Sequence, residues 1–301
     1  MNSMKLAITG ASGQLGSYLM DLASGSKSTL GIDIRESPFP KHRPRIAKED
    51  IRDQAAMRKM LKGCEVVVHC AAQVSVVNSI KDPISDLATN VQGTITLLQA
   101  ASECGVKKFI YISSAAVYGD PVQVPIPESH PLNPKSPYGT SKMSAEQYCR
   151  VFAETRSLPY LVIRPFNFYS PRADPKSPYS GVITKFVDWA KRGEPLLVEG
   201  DGKQTRDFIN AIDVARMIMA AAKSKASNLT LNCGSGTGTT INALAKTVVK
   251  VSGNKLEVKH IASRVGDIRH SVSDMSSAER TLGFKTNLTL EQGIRQFFED
   301  E

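Results

Sequence analysis

The stretch Lys5-Leu6-Ala7-Ile8-Thr9-Gly10-Ala11-Ser12-Gly13-Gln14-Leu15-Gly16 decides the fold. The apolar run Lys5–Thr9 reads as a strand, and Gln14–Ala23 has the spacing of a helix. Between them the three glycines each have a physical task. Gly10 permits a tight turn, Gly13 lets the backbone approach a pyrophosphate, and Gly16 lets the helix pack close on the strand. Free N–H groups and the positive dipole end at such a helix start favour phosphate. Ser12, Gln14 and Leu15 fill the turn and are expected to meet the cofactor with the glycines. A glycine turn alone carries little weight. Its place after a strand and before a helix makes it a dinucleotide fingerprint.

The same alternation continues outward. Strands are expected at Leu30–Ile34, Val66–Cys70, Lys108–Ser113, Tyr160–Arg164 and Asn228–Asn232. Helices are expected at Gln54–Leu61, Asp86–Cys104, Tyr138–Thr155 and Ile212–Lys223. Strands alternating with helices imply right-handed βαβ units and a parallel sheet. The apolar Val66-Val67-Val68 suits a central strand covered on both faces. The expected fold is α/β: a doubly wound parallel Rossmann sheet with a smaller α/β substrate-binding lobe. Residues 1–165, rejoined by 207–234, form the dinucleotide-binding part. The segments 166–206 and 235–301, with helices at Val182–Arg192 and Ile241–Val251, form the lobe. The ligand site is expected in the cleft between them.

The chain has 301 residues, of which 41% are hydrophobic, enough for a large core. No repeat or low-complexity tract occurs, and no apolar run reaches the roughly 18 residues of a membrane span. Met1 to Gly10 reads as the lead into a strand rather than a signal peptide. The five cysteines (Cys64, Cys70, Cys104, Cys149, Cys233) are scattered without C-x-x-C spacing, which suits a reducing cytoplasm and points to no metal. The net charge is +9, but acids intersperse the basic residues, so no nucleic-acid partner is expected. The densest cluster, Lys41-His42-Arg43-Pro44-Arg45, reads as a solvated loop. The excess of positive charge would steer an anionic substrate.

Asp33, at the end of the second strand, stands where an acid meets the adenosine ribose hydroxyls. Its charge would repel a 2′-phosphate, favouring NAD over NADP, although Arg35 works against that. Tyr138 and Lys142 lie one helical turn apart, and an ammonium beside a phenol lowers the phenol's pKa and makes it a base. In an arbitrary sequence such a pair is more often a half-buried tyrosine and a solvated lysine.

The G-x-x-G-x-x-G spacing, the Tyr-x-x-x-Lys pair and Ser113-Ser114-Ala-Ala-Val-Tyr118-Gly119 together resemble the extended short-chain dehydrogenase/reductase family, within it the NAD-dependent sugar epimerase/dehydratase group. The resemblance implies a hydroxyl at Ser114 that relays the sugar's proton to Tyr138. It places Asp50-Ile51 at the adenine, and Ala71-Ala72-Gln73 and Asn90 along the cofactor. Arg164-Pro-Phe-Asn167-Phe-Tyr-Ser170-Pro-Arg172 resembles R-P-F-N-x-Y-G-P-R, with Ser170 in place of the usual glycine. Asn167 is then a substrate contact. The segments Gly200–Phe208 and Arg264–Ser271 resemble the group's later motifs, which puts Arg206 and Arg264 on a diphosphate and Asp267 near the nucleotide ribose. Ser271 would border the sugar's 2-position, and its small size leaves room for an N-acetyl group.

The implied activity is 4-epimerisation of a UDP-hexose such as UDP-glucose or UDP-galactose, through a transient 4-keto sugar, with NAD reduced and reoxidised in place. The resemblance also implies a homodimer built on helices 86–104 and 138–155, although the first face could equally be covered within one chain. A 4,6-dehydratase needs an extra acid and base, and a decarboxylating synthase a glutamate, where this chain has Ala115 and Ala116. A uronate 4-epimerase and a net reductase of the same group remain alternatives. So does a non-catalytic NAD-binding protein, against which the retained tyrosine and lysine argue. The residues do not discriminate the nucleotide or the sugar.

Overall fold

In the computed structural model the described residues are 4–24, 28–173, 181–263 and 268–299. The strands in chain order are β1 (Leu6–Thr9), β2 (Thr29–Asp33), β3 (Ile46–Lys48), β4 (Val66–His69), β5 (Lys108–Ile112), β6 (Tyr160–Pro165), β7 (Asn167–Tyr169), β8 (Leu196–Glu199), β9 (Thr205–Asn210), β10 (Leu229–Cys233), β11 (Gly238–Thr240), β12 (Val258–Ile261) and β13 (His270–Ser271). Among the described residues seven strands form one parallel sheet in the order β10-β6-β5-β4-β1-β2-β3. The chain reverses direction across the sheet at the β1–β4 junction, where open α/β sheets take ligands. Strand β3 was not expected. Three residues are too short to show a period.

Alternate residues of each strand enter opposite cores. Leu6, Ile8, Val66, Val68, Ile110 and Ile163 pack on one side, with helices Gln14–Leu22 and Ala211–Lys223. Ala7, Val67, Phe109, Tyr111 and Val162 pack on the other, with helices Gln54–Leu61, Gly93–Glu103 and Pro137–Arg156. Burial on both faces is why these strands are continuously apolar. Helix starts are capped by side chains that accept a backbone N–H: Asp53 from Ala56, Ser136 from Gly139 and Asn210 from Ile212. Gly13, at the start of Gln14–Leu22, has no side chain to offer, so that helix keeps N–H groups for a ligand.

The helix expected at 86–104 is broken into three. An α-helix Pro83–Leu87 leads into a wide π turn, Ala88–Gln92, before Gly93–Glu103 resumes. The π turn holds Asn90 in the interior, 1% exposed.

The smaller lobe has its own core of Tyr169, Phe186, Phe208, Leu244, Ile294 and Phe297. Strand β9 is shared between lobes: Phe208 enters the lobe's core and its neighbour Ile209 enters the main one. Strand β9 also pairs with β7, β11 and β13 outside the main sheet. From Ile209 onward, through helix Ala211–Lys223, the chain packs into the main core. Ala278 and Phe284 likewise pack into the main core, inside the stretch 235–301 assigned to the lobe.

In the cluster at 41–45, Lys41, Arg43 and Pro44 are exposed, as expected of a solvated loop, but His42 is buried. Lys41 and the fully buried His42 both meet Asp21, at 2.8 and 2.7 Å, and Arg43 pairs with Glu36 at 3.1 Å. Arg45 donates to the Met20 and Ala23 carbonyls at a helix end. Among the described residues no helix is long and apolar enough to cross a membrane.

Candidate active site

A cleft of about 530 Å³ opens at the carboxyl ends of β1, β2 and β4. Gly10, Gly13, Gln14, Leu15, Gly16, Asp33, Asp50, Ile51, Ala71 and Ala72 line it, as do Tyr138 and Lys142. Gly10 has φ +68°, and a Cβ there would stand 2.7 Å from the Ala71 nitrogen. A Cβ on Gly16 would stand 2.1 Å from the Gly10 carbonyl. Both positions exclude a side chain. The narrow turn, the uncapped helix start and the acid that ends β2 fit a dinucleotide: the helix start would take the pyrophosphate and Asp33 the ribose hydroxyls. Asp33 is already fixed by the Ser12 and Arg35 N–H groups, at 3.0 and 2.9 Å. Ser12 thus shapes the site through its backbone. Asp50 is paired with Arg52 at 2.6 Å, and that guanidinium holds its carboxyl below the usual range.

Gln73 and Asn90 do not line the cleft. The Asn90 amide donates to the Gln73 carbonyl, Asp86 and Ser141, and its oxygen accepts the Gln73 N–H at 2.9 Å. The Gln73 side chain is tied to Ser75 and Asp86. Both residues brace the loop after β4. The other side of that loop is held through His69. The Thr94 hydroxyl donates to the Asn90 carbonyl, so His69 Nε2 donates to Thr94 and Nδ1 accepts from Thr9. Thr9 in turn accepts the Ala71 N–H at 3.2 Å. Burial pushes His69 down to about 3, so this chain of bonds stays neutral at physiological pH.

Tyr138 and Lys142 both line the cleft. Ser114 acts on the Tyr138 phenol, and its hydroxyl accepts the Ala116 N–H at 3.1 Å. Ser113 instead donates to Glu146, so the two adjacent serines have separate tasks. Tyr138 is at the second position of its helix, after Pro137, which a helix's first turn accommodates. Lys142 is 3% exposed, donates to the Ile112 carbonyl at 2.8 Å, and stands 4.9 Å from the Tyr111 ring centre.

Their ionisation differs from expectation. Burial pushes the Tyr138 phenol up to about 12, against a smaller downward pull from Ser114. Burial also pushes Lys142 down to about 8. Burial thus opposes the phenolate that a nearby ammonium was expected to favour.

Three groups around the site were missed. Asp86, 1% exposed, receives Gln73 and Asn90. Glu146 forms a buried two-point pair with Arg164, at 2.9 and 2.6 Å. It lies on the Tyr138 and Lys142 face at a further four-residue step, which is the signal that was available. Asp207, fully buried, accepts from Ser235, Gly236 and Ser273 and ties β9 to the turns after β10 and β13.

Of the expected substrate residues, Asn167 is exposed beside β9, its amide 3.5 Å from the Asp207 carbonyl. Arg206 donates to the Thr205 carbonyl at 2.8 Å and is paired in register with Ser271 on β13. Ser271 is 9% exposed. Arg264 and Asp267 lie outside the described residues.

Residues 6–234 match the NAD dependent epimerase/dehydratase family. The chain is 32% identical to a UDP-glucose 4-epimerase of Mycolicibacterium smegmatis, over 98% of each protein. Among solved structures it is similar to a UDP-glucose 4-epimerase of Thermotoga maritima determined with UDP-glucose: TM-score 0.92, 33% identity, 98% of each chain. It is also similar to a UDP-N-acetylglucosamine 4-epimerase of Methanobrevibacter ruminantium in complex with UDP-N-acetylmuramic acid: TM-score 0.93, 34% identity, 99% of each chain.

Proposed function

Because this chain belongs to the NAD-dependent epimerase/dehydratase family, we propose that it interconverts the C4 epimers of a UDP-hexose, UDP-glucose and UDP-galactose first among them. The observation that carries this reading is the Tyr138–Lys142 pair, one helical turn apart in the lining of the dinucleotide cleft, with Ser114 acting on the Tyr138 phenol. Tyr138 is the base that takes the C4 hydroxyl proton, and Ser114 bridges that hydroxyl and the phenol. Lys142 adds positive charge beneath them. NAD, when bound, supplies the acceptor and later the donor of the C4 hydride. The transient 4-keto sugar presents its other face before reduction. Ala115 and Ala116, which begin the turn after Ser114, have no group that moves a proton, so the site is suited to inversion rather than elimination.

N-acetylated hexoses are substrates on the same reading. Ser271 is small and adjoins Arg206, and a relative of similar identity is a UDP-N-acetylglucosamine 4-epimerase. Asn167 and Arg206 hold the nucleotide sugar, and Arg264 and Asp267 complete its grip. The working unit is a cytoplasmic homodimer. Its support is an apolar surface of Val76, Val77, Ile80, Ile84 and Leu87 beside Tyr148 and Val151, each between 38% and 74% exposed. The test is product analysis on UDP-glucose, UDP-galactose, their N-acetyl forms and UDP-glucuronate. Interconversion at C4 without net NADH is expected. A deoxy product, or stoichiometric NADH, would discard the assignment.

A further inference from the structure

Beyond β7 the segment Ser170-Pro171-Arg172 runs along the outer face of helix Gln14–Leu22. Gln14 Nε2 donates to Ser170 Oγ at 3.0 Å. Arg172 donates to Ser17 Oγ at 3.1 Å and to Asp21 Oδ2 at 2.5 Å. Its guanidinium is held between two rings, 3.9 Å from the centre of Tyr18 and 4.5 Å from that of Phe39. Positions 14, 17, 18 and 21 make one stripe of a helix, so the whole contact falls on a single face. Ser170 is fully buried. Gln14 lines the dinucleotide cleft from the fingerprint side, and Phe168 lines it from β7, two residues before Ser170. The Gln14–Ser170 bond therefore joins two walls of the cleft at the uncapped helix start.

The C4 chemistry makes no use of this contact. We propose that residues 170–172 are a strap that retains NAD between turnovers, with Arg172 its anchor and the Gln14–Ser170 bond its latch. The inference rests on the cofactor reading above. Epimerisation returns the cofactor to its starting state in each cycle, so release serves no step, and a bond across the cleft slows it. The resembling motif has glycine at this position, which has no hydroxyl to accept from Gln14. The latch is thus a property of this chain's own pair of residues.

The test needs no sugar. Holoprotein is diluted into alcohol dehydrogenase and ethanol, which convert released NAD to NADH, and the release rate is read by absorbance. Ser170→Ala and Gln14→Ala are each expected to speed release about tenfold, the effect of one water-shielded hydrogen bond. The double variant should be no faster than the faster single, because one bond is lost in all three. Ser170→Thr, which keeps the hydroxyl, should release at the wild-type rate. Ser170→Gly, the motif's own residue, serves if the alanine variant does not fold. Melting temperatures of the NAD-free proteins separate a latch from general loosening. Unchanged release in the singles, or multiplied effects in the double, would overturn the latch and leave the epimerase reading standing. A wild-type protein that neither carries nor takes up NAD would overturn both.

Discussion

At Tyr138 burial raises the phenol's pKa and the Ser114 hydroxyl lowers it by less. A phenol near 12 is a poor base at neutral pH, so catalysis depends on what the bound ligands add to the charge of Lys142. Tyr138→Phe removes the base and should lower kcat by about 10² to 10⁴, with NAD content unchanged. Turnover at the wild-type rate would remove Tyr138 from its role. Lys142 has a sign that can be checked. Its folded pKa, about 8, is below the unfolded 10.5. The contribution of the group to stability is therefore present above pH 10.5 and lost as pH falls through 8. Lys142→Met should gain stability relative to wild type at pH 7. That advantage should shrink as pH rises across the window, by on the order of 3 kcal/mol. Urea unfolding of both proteins over the pH series measures it, and a pH-independent difference would contradict the buried ammonium. Arg164 and Glu146, 5% and 4% exposed, form a pair of the opposite kind. Arg164→Met alone should cost about 3–5 kcal/mol, since it strands a buried carboxylate. The double change Glu146→Gln with Arg164→Met should cost less than that single.

At the scale of elements, the π turn Ala88–Gln92 aims Asn90 at the loop after β4. Asn90→Ala leaves the Gln73 N–H and carbonyl without partners. It should lower stability by about 1–3 kcal/mol and weaken NAD retention, measured by chemical unfolding and by NAD content after desalting. An unaltered NAD content would mean that the loop holds its shape without Asn90. The position of Asn90 was legible in the sequence, but the direction of its amide was not. Helical spacing places a residue on a face. It does not reveal an inserted residue that widens one turn, nor which of several acceptors an amide meets. The sheet was legible because strands such as Val66–His69 open with an unbroken apolar run, as burial on two sides requires. Strand β3 was missed because three residues show no period. Tyr138 and Lys142 were legible as a four-residue step, whereas Glu146, on the same step, looked like any surface acid. Its partner Arg164 is on β6, and only the fold brings the two together. The separate tasks of Ser113 and Ser114 likewise depend on the twist at the end of β5.

At the scale of the molecule, the described residues leave an apolar surface uncovered. The apolar face of helix Gly93–Glu103 is covered within the chain: Leu97, Leu98, Ala100 and Ala101 are all fully buried. The exposed apolar side chains lie instead on the preceding short helices and on Pro137–Arg156. Ile80 and Ile84 are 62% and 74% exposed, and Leu87 is 53% exposed. Tyr148 and Val151, one turn apart, extend the patch along helix Pro137–Arg156. A contiguous apolar patch of this kind marks a contact surface, and a two-fold contact lets one patch cover its own copy. A charge placed at its centre would be buried without a partner in the dimer and solvated in the monomer. Ile80→Glu together with Ile84→Glu should therefore shift the protein to a monomer by light scattering while the isolated chain keeps its stability. Because Tyr148 and Val151 share a helix with Tyr138 and Lys142, the same variant should lose activity at low protein concentration and recover part of it on concentration. A protein already monomeric before substitution, or one dimeric after it, would place the contact elsewhere.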